Sequence, residues 1–450
     1  MNAGCKLPIA GLLLLSVLAP VRAQDAPSPR HITLQEAVQL ALKHNHSVRI
    51  ANFQVEEKEH AKDVAKSGYF PSIKNESRLF EVTDTQFIQI PAGSLGTVGG
   101  TPIPERSDIL NQGGKTFIIS GTTLAEPLTQ LFTRVKPAND IARADLNATR
   151  ANSQETENEV ALKVHELYYR VLIAQLQRNA TEAKIKAAQD LQSERVQEVK
   201  YGSTLDENLV ESRAQSLQAK QQLLTTELQL SDLTLQLDDL IGLPLTTELA
   251  LDASVPAVQD TCEREECIKA ALKSHPEIIA AREEVQKAAA GAKLSKADCV
   301  PDVSAFAQYS YQDNVPFLAR NFGSFGVQFE YDIFDGGRRR AAVRESNSAL
   351  AQAKENLERV TDDVQLRVQV AYNKLHRTQE MVSVSQELLA LRTESSRVTA
   401  QQLQQGEALS SQADSAVAQQ LDAQTQLLES QLGFIQAHDE LLEAMGIAPQ

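Results

Sequence analysis

Two hydrophobic rhythms alternate along this chain. Over long stretches apolar residues recur every three to four positions, as on one face of an α-helix; between them lie short segments in which apolar and polar residues alternate. Thr33-Leu34-Gln35-Glu36 has capping-box spacing and predicts a first helix that runs to about Ser67 and is stopped by Pro71. Ala138 to Tyr201 is 64 residues without Gly or Pro, and Arg338 to Gln405 is 68. At 1.5 Å per residue each run makes a helix about 100 Å long. Leu350, Leu357, Val364 and Ala371 fall seven apart, as do Leu375, Val382 and Leu389, which is coiled-coil spacing. The helix-break glycines Gly202 and Gly406 end these runs, and return helices are expected over about 203–241 and 407–445.

The alternating segments predict four strands, at about 72–84, 117–128, 302–312 and 325–334. In the last, Val327, Phe329, Tyr331 and Ile333 share one face and Gln328, Glu330 and Asp332 the other. Leu124 and Leu128 match Phe329 and Ile333. Strands of about ten residues have the length of a tilted bilayer crossing, which makes Leu124, Leu128, Phe329, Tyr331 and Ile333 the lipid-facing candidates. The same alternation suits a soluble sheet with one buried face. Four strands cannot close a barrel, and an open edge in lipid leaves unpaired backbone groups, so a membrane placement requires several chains to share one barrel. Three chains give twelve strands, wide enough for a passage.

The chain is also internally duplicated. Residues 36–73 align without gaps to 266–303 at an offset of 230, and residues 160–244 to 364–448 at an offset of 204. Both break glycines keep register across the 85 positions of the second alignment. The expected organisation is a first repeat at 24–250 and a second at 251–450, with an insertion in the first. Pro91, Gly93, Gly96, Gly99, Gly100, Pro102 and Pro104 place that insertion in an irregular loop at about 85–115.

Composition narrows the classes. The 450 residues include no Trp and only 5% aromatics, which argues against three ordinary globular domains. A formal charge of −15 removes the footprint of a nucleic-acid binder. Residues 1–23 read as a secretory signal peptide, with Lys6, an apolar core from Leu7 to Leu18, and a Val21-Arg22-Ala23 cleavage site. In an oxidising compartment Cys262 and Cys267 are candidates for a local disulfide, provided Cys262 precedes the helix. With Cys299 they have no CxxC or His spacing, so no metal site is expected. Gly113-Gly114-Lys115-Thr116 lacks the rest of a phosphate loop, and His165-Glu166 lacks the second histidine of a zincin motif. No catalytic constellation and no cofactor site stands out, so the chain does not read as an enzyme.

The duplicated helix–strand–strand–helix–helix unit resembles the outer-membrane efflux protein family, the TolC-like channels. The resemblance rests on Gly121-x-x-Leu124-x-x-Pro127-Leu128, on Phe334-Asp335-Gly336-Gly337-Arg338, on the Tyr201-Gly202 and Gln405-Gly406 breaks, and on Leu-Ile-Gly-Leu-Pro at 240–244 and Ala-Met-Gly-Ile-Ala at 444–448. It implies a mainly α fold with a membrane β-barrel contribution: tandem long helical hairpins and four strands per chain, forming a homotrimer with a twelve-stranded barrel on an α-helical tunnel. It further implies a passive exit duct in the outer membrane with a large periplasmic extension, in contact with outer-membrane lipid. The implied partners are a periplasmic adaptor protein and an inner-membrane efflux pump or ABC exporter, as in tripartite efflux or type I secretion. The family's tunnel tip commonly carries aspartates six and nine residues after the break glycine. Here those places hold Asn208 and Glu211, and Gln412 and Ser415, with Asp206, Glu207 and Asp414 nearby. Asp206, Glu207, Glu211 and Asp414 are therefore the gate or pore candidates, since threefold repetition turns one acid into a charged ring. The competing expectation, from the helices alone, is a soluble periplasmic coiled-coil scaffold.

Overall fold

The computed structural model describes residues 30–84, 87–111, 115–202, 205–247, 249–252, 262–315 and 318–449; the expected signal peptide at 1–23 lies outside them. A short strand β1 (Arg30–Ile32) leads into helices α1 (Leu34–His44) and α2 (His46–Ser67). β2 (Ser72–Glu81) is followed by an excursion of β3 (Phe87–Ile90), β4 (Thr97–Val98), β5 (Thr101–Pro102) and β6 (Asp108–Asn111), and β7 (Thr116–Glu126) returns. A helical turn α3 (Leu128–Gln130) and a π-helical turn at Leu131–Val135 open α4 (Lys136–Lys200), and α5 (Asp206–Ile241) runs back to β8 (Leu249–Leu251). The second half runs α6 (Arg264–Ser274), α7 (Pro276–Ala297), β9 (Asp302–Asp313), β10 (Asn321–Glu330), α8 (Arg338–Gln404) and α9 (Ser410–Ala444).

Local chemistry sets the boundaries. The Thr33 hydroxyl accepts from the Glu36 amide at 3.3 Å and caps α1. Asn45 ends α1 and caps α2, accepting from Ser47 N at 2.8 Å. At the matching place His275 caps α7 through Glu277 N at 3.2 Å, with Pro276 in the first turn, where its missing N–H costs nothing. For the same reason α4 takes in Pro137 and starts before Ala138. Cys262 and Cys267 are bridged, with Cα atoms 5.7 Å apart; Cys262 precedes α6, which lets the two sulfurs meet.

The strands differ from the sequence expectation at their helical ends. β7 stops at Glu126, since Pro127 cannot continue the ladder, and Leu128 begins a helical turn instead of facing outward from the sheet. β10 ends at Glu330, which leaves Tyr331 and Ile333 beyond the sheet. The cause is a cap at the start of α8. The Asp335 carboxylate accepts from Gly337 N at 2.9 Å, Arg339 N at 3.0 Å and Arg339 Nε at 2.7 Å. Arg339 also donates to the Asp332 carbonyl and lies 4.9 Å from the Tyr331 ring centre. The alternation of Phe329, Tyr331 and Ile333 therefore outlasts the strand. The stretch at 85–115 is not an irregular loop: β3 pairs with β6 and β4 with β5, so within its described residues it is a nested hairpin.

The main sheet is antiparallel in the order β10-β9-β7-β2. The long helices lie side by side in the order α5, α4, α9, α8, with α2 and α7 packed on α4. Two apolar cores use matching positions of the repeats. Ala37, Ala41, Val160, Val164, Leu237 and Ile241 fill the first. Cys267, Ala271, Val364, Val368, Leu441 and Met445 fill the second. Each fully buried aliphatic side chain here contributes roughly 1.5–3 kcal/mol. Tyr168 then ties β1 and β8 to α4: its hydroxyl accepts from Asp252 N at 2.9 Å and donates toward Ile32 O at 3.1 Å and Asp252 O at 3.0 Å.

The interior between the halves is polar. His165 donates from Nδ1 to Asp439 Oδ2 at 2.7 Å with both side chains buried. Burial works to raise the Asp439 carboxyl, but the hydrogen bonds from His165 and His438 hold it below the usual carboxylate range. Higher on α4, Glu155 is buried with neither carboxylate oxygen hydrogen-bonded. Loss of hydration, then repulsion from Glu277 and Glu443, push it up to about 7, with Arg367 pulling the other way. Arg367 is itself engaged by Glu277 at 2.6 Å.

Two predictions follow from this packing. Gly242 and Gly446 have φ of 73° and 77°. A Cβ at Gly242 would lie 2.6 Å from His44 Cβ, and one at Gly446 would lie 2.7 Å from His275 Cα. Gly406, at φ 76°, faces open space. Gly446→Ala and Gly242→Ala should each lose about 3 kcal/mol against about 1 for Gly406→Ala, read by thermal unfolding in detergent. Equal losses at all three would show that these contacts carry nothing. Second, Glu155 binds its proton more tightly folded than unfolded, so its contribution is fully present below pH about 4.5 and is lost as pH rises through about 7. Glu155→Gln should therefore gain thermal stability over the parent at pH 8 and little at pH 4.5, and a difference independent of pH would refute the assignment.

Candidate functional site

The sheet has two unlike faces. Register aligns Ile73 with Leu124, Leu124 with Ala307 and Ala307 with Phe325, so these four share one face with Leu79, Ile118, Val327 and Phe329. The opposite face holds Lys74, Glu76, Arg78, Gln308, Ser310 and Gln312. Of the lipid-facing candidates, Leu124 and Phe329 lie on the apolar face and are solvent-exposed within the chain, Phe329 at 67%. An apolar face this exposed has no partner inside the chain. Among the described residues both outer strands, β2 and β10, keep one edge without a neighbouring strand.

At the far end the hairpins turn at Gly202 and Gly406, with φ of 71° and 76°. The left-handed turn lets the Gly202 amide reach Val199 O at 3.0 Å and the Gly406 amide reach Leu403 O at 3.0 Å, which satisfies carbonyls of the ending helices. Asp206 and Glu207 stand in the first turn of α5, where the helix N-terminus favours negative charge. Both are exposed and make no ion pair among the described residues, and Glu211, also exposed, accepts from Gln215 at 3.2 Å.

Asp414 is placed differently. It turns toward α4, where Lys186 Nζ donates to it at 3.1 Å. It also shares a hydrogen bond with Asp190, which raises the Asp190 carboxyl and lowers that of Asp414, the latter helped by Lys186. The structure thus brings Asp206, Glu207 and Glu211 together on α5 and puts Asp414 in the α4–α9 contact.

The residues that hold α4 to α9 near the tip were not visible in the sequence. Lys184 donates to Asp422 at 2.6 Å, Gln177 to Glu429 at 2.5 Å, and Ser411 N to Glu194 at 2.8 Å. They lie more than 200 residues apart, and only the register of the two helices brings them together. Beside them a cleft of about 740 Å³ runs between α4, α5, α8 and α9, lined by small and amide side chains such as Gln215, Thr399, Ser411 and Gln419. Burial thins in the same direction. On α4 the last buried residue is Thr181, and the buried positions of the other helices near the tip are small: Ser212, Ser216, Ser396, Ser411 and Ala416. Among the described residues no helix is long and apolar enough to cross a membrane, and no group of three or more His, Cys, Asp or Glu is arranged to hold a metal ion.

Residues 267–447 match the outer membrane efflux protein family. The outer membrane efflux protein BepC of Brucella suis is 28% identical over 123 residues, which is 27% of either protein, so the aligned part spans about a quarter of that relative. The fold matches over far more of the chain. The CmeC outer membrane channel of Campylobacter jejuni superposes with a TM-score of 0.74 at 13% identity, covering 92% of this chain and 85% of CmeC. The open-state MtrE outer membrane channel of Neisseria gonorrhoeae gives 0.72 at 16% identity, covering 93% and 89%. The second repeat thus matches the outer membrane efflux protein family in sequence, and nearly the whole chain has the fold of outer-membrane channels such as CmeC and MtrE.

Proposed function

We propose that this outer-membrane protein is the passive exit duct of a tripartite efflux or type I secretion machine, working as a homotrimer that receives substrate from an inner-membrane pump or ABC exporter through a periplasmic adaptor. The observation that carries the reading is a coincidence of open edges. The sheet ends in β2 on one side and β10 on the other, and the helix row ends in α5 and α8. In both rows the first-repeat elements end one side and the second-repeat elements the other.

The flanks are apolar. Val210, Leu217 and Leu224 recur every seven residues on α5 and are exposed, as are Val384 and Leu391 on α8. A head-to-tail contact pairs β2 with the next copy's β10 and α5 with its α8, and three such contacts close a ring of twelve strands above twelve long helices. Closure hides the backbone edges that lipid cannot satisfy, turns the apolar sheet face toward lipid and leaves the polar face around water. The chain itself supplies no energy for transport in this reading; the family is one of channels.

At the tip, threefold repetition makes rings of Asp206, Glu207 and Glu211, which attract cations at a constriction. Asp414 acts in this scheme with Lys186 and Asp190 as a strap that holds α9 against α4.

Native mass of the protein extracted in mild detergent tests the assembly: a trimer is expected, and Leu224→Glu should shift it toward monomer by placing a charge in the α5–α8 seam. A water-soluble monomer that leaves Phe329 buried would favour the scaffold instead. In planar bilayers the parent should pass cations over anions, and Asp206→Asn with Glu207→Gln should lower that permeability ratio about two-fold or more. An unchanged reversal potential would remove these two acids from the pore.

A further inference from the structure

The register of the sheet brings all four strands to one level at their helical ends: Ser72 lies opposite Ala125, Glu126 opposite Ala305, and Glu330 opposite Asp302. At each of the four places where chain passes between sheet and helix, an exposed apolar residue and an exposed base stand four positions apart. In the first repeat these are Lys66 with Phe70 and Phe132 with Lys136. In the second they are Lys296 with Val300 and Phe334 with Arg338. In every pair the apolar residue is nearer the sheet and the base nearer the helices. Phe132 and Phe334 are more than 80% exposed.

The local structures differ, which makes the common outcome informative. Lys66 and Lys296 sit in the last turns of α2 and α7, Phe132 in a π-helical turn, and Phe334 in the extended link before α8. The acids at this level are largely occupied from within. Arg134 takes Asp298 and Asp302 at 3.2 and 3.1 Å, and Arg339 takes Asp335 at 2.7 Å. Arg338 lies 3.6 Å from Asp332, while Lys66, Lys136, Lys296 and Arg340 make no ion pair among the described residues. Against them stand Glu126 and Glu330 at the strand ends, which also have no base. In a protein with a formal charge of −15, this is an uneven concentration of uncommitted positive charge.

We propose that these junctions form a collar that binds anionic phospholipid headgroups in the leaflet facing the helical tunnel. The apolar members enter the acyl boundary, and the bases, four residues farther toward the helices, meet the phosphates. Surface-facing bases next to an apolar band attract anionic lipid, and each one changes the preference about five-fold. The proposal rests on the outer-membrane reading above and adds to it a choice of lipid: phosphatidylglycerol-type headgroups over zwitterionic ones. It also gives the barrel a fixed depth, since the collar resists both sinking into and rising out of the leaflet.

The test uses the full mature protein, extracted in mild detergent and offered equal amounts of phosphatidylglycerol and phosphatidylcholine, with bound lipid counted by native mass spectrometry. Insertion into vesicles of phosphatidylcholine alone is scored in parallel. The parent should insert and retain phosphatidylglycerol in clear excess, an excess that fades in 0.5 M salt at about the rate expected for exposed charges. A variant carrying K66Q, K136Q, K296Q and R338Q should insert as well but hold both lipids equally, and the corresponding Arg and Lys exchanges should keep the excess. Normal insertion with equal retention of the two lipids by the parent overturns the collar and leaves the channel reading intact. Failure to insert into any vesicle overturns both. A Gln variant that loses trimers while keeping its lipid preference would assign the bases to a neighbouring copy, and the proposal falls.

Discussion

An unpaired edge is the constraint from which the rest of this structure follows. The chain builds a four-stranded sheet with two free edges and a row of four long helices with two free flanks. In water such edges invite association; in lipid each unpaired peptide group costs several kcal/mol, and the sheet has no means of closing on itself. The exposed leucines of α5, the exposed valines of α8 and the apolar face around Phe325 and Phe329 all belong to this one unfinished surface. Strands of 10–12 residues and seven-residue helical spacing suit the same closure, so the barrel and the tunnel solve one geometric problem together.

Much of this was legible from residue spacing. The long helices announce themselves by runs free of Gly and Pro, and the cap at Thr33 and the breaks at Gly202 and Gly406 stand where side-chain chemistry places them. The misplacements have physical causes. Tyr331 and Ile333 continue a strand-like alternation, but the Asp335–Arg339 cap pulls the backbone out of the ladder three residues before the pattern ends. Leu128 was lost to the sheet through its neighbour Pro127. Asp414 looked like another free acid near a break, and its orientation depends on Lys186 and Asp190, partners set by the packing of α9 on α4 and by nothing local. The hairpins within the 85–115 stretch were hidden because turn residues outnumber the short runs that pair.

The two repeats have kept their apolar cores and diverged in their polar interiors. Val160 and Val164 have their counterparts in Val364 and Val368, each buried. By contrast, His165 corresponds to Gln369. The polar groups of the first repeat now find partners in the second: His165 meets Asp439, and Arg367 and Glu443 border Glu155. Interactions between the halves have therefore replaced symmetry within each half. That makes the pair of hairpins a single unit, since an isolated repeat would lose the partner that the other half supplies to His165.

The thinning of burial toward the tip has a mechanical side. Above Thr181 the hairpins are held by buried side chains, whereas beyond it α4 has none, and its neighbours meet through serine, alanine and a few ionic ties. The part of α4 from Thr181 to Lys200, held by these ties alone, is a cantilever about 30 Å long. A swing of about 10° at its root moves its end by about 5 Å, comparable with the width of a small solute. In a duct of the kind proposed, excursions of that size at the tip would require only small strain where the protein is densely packed.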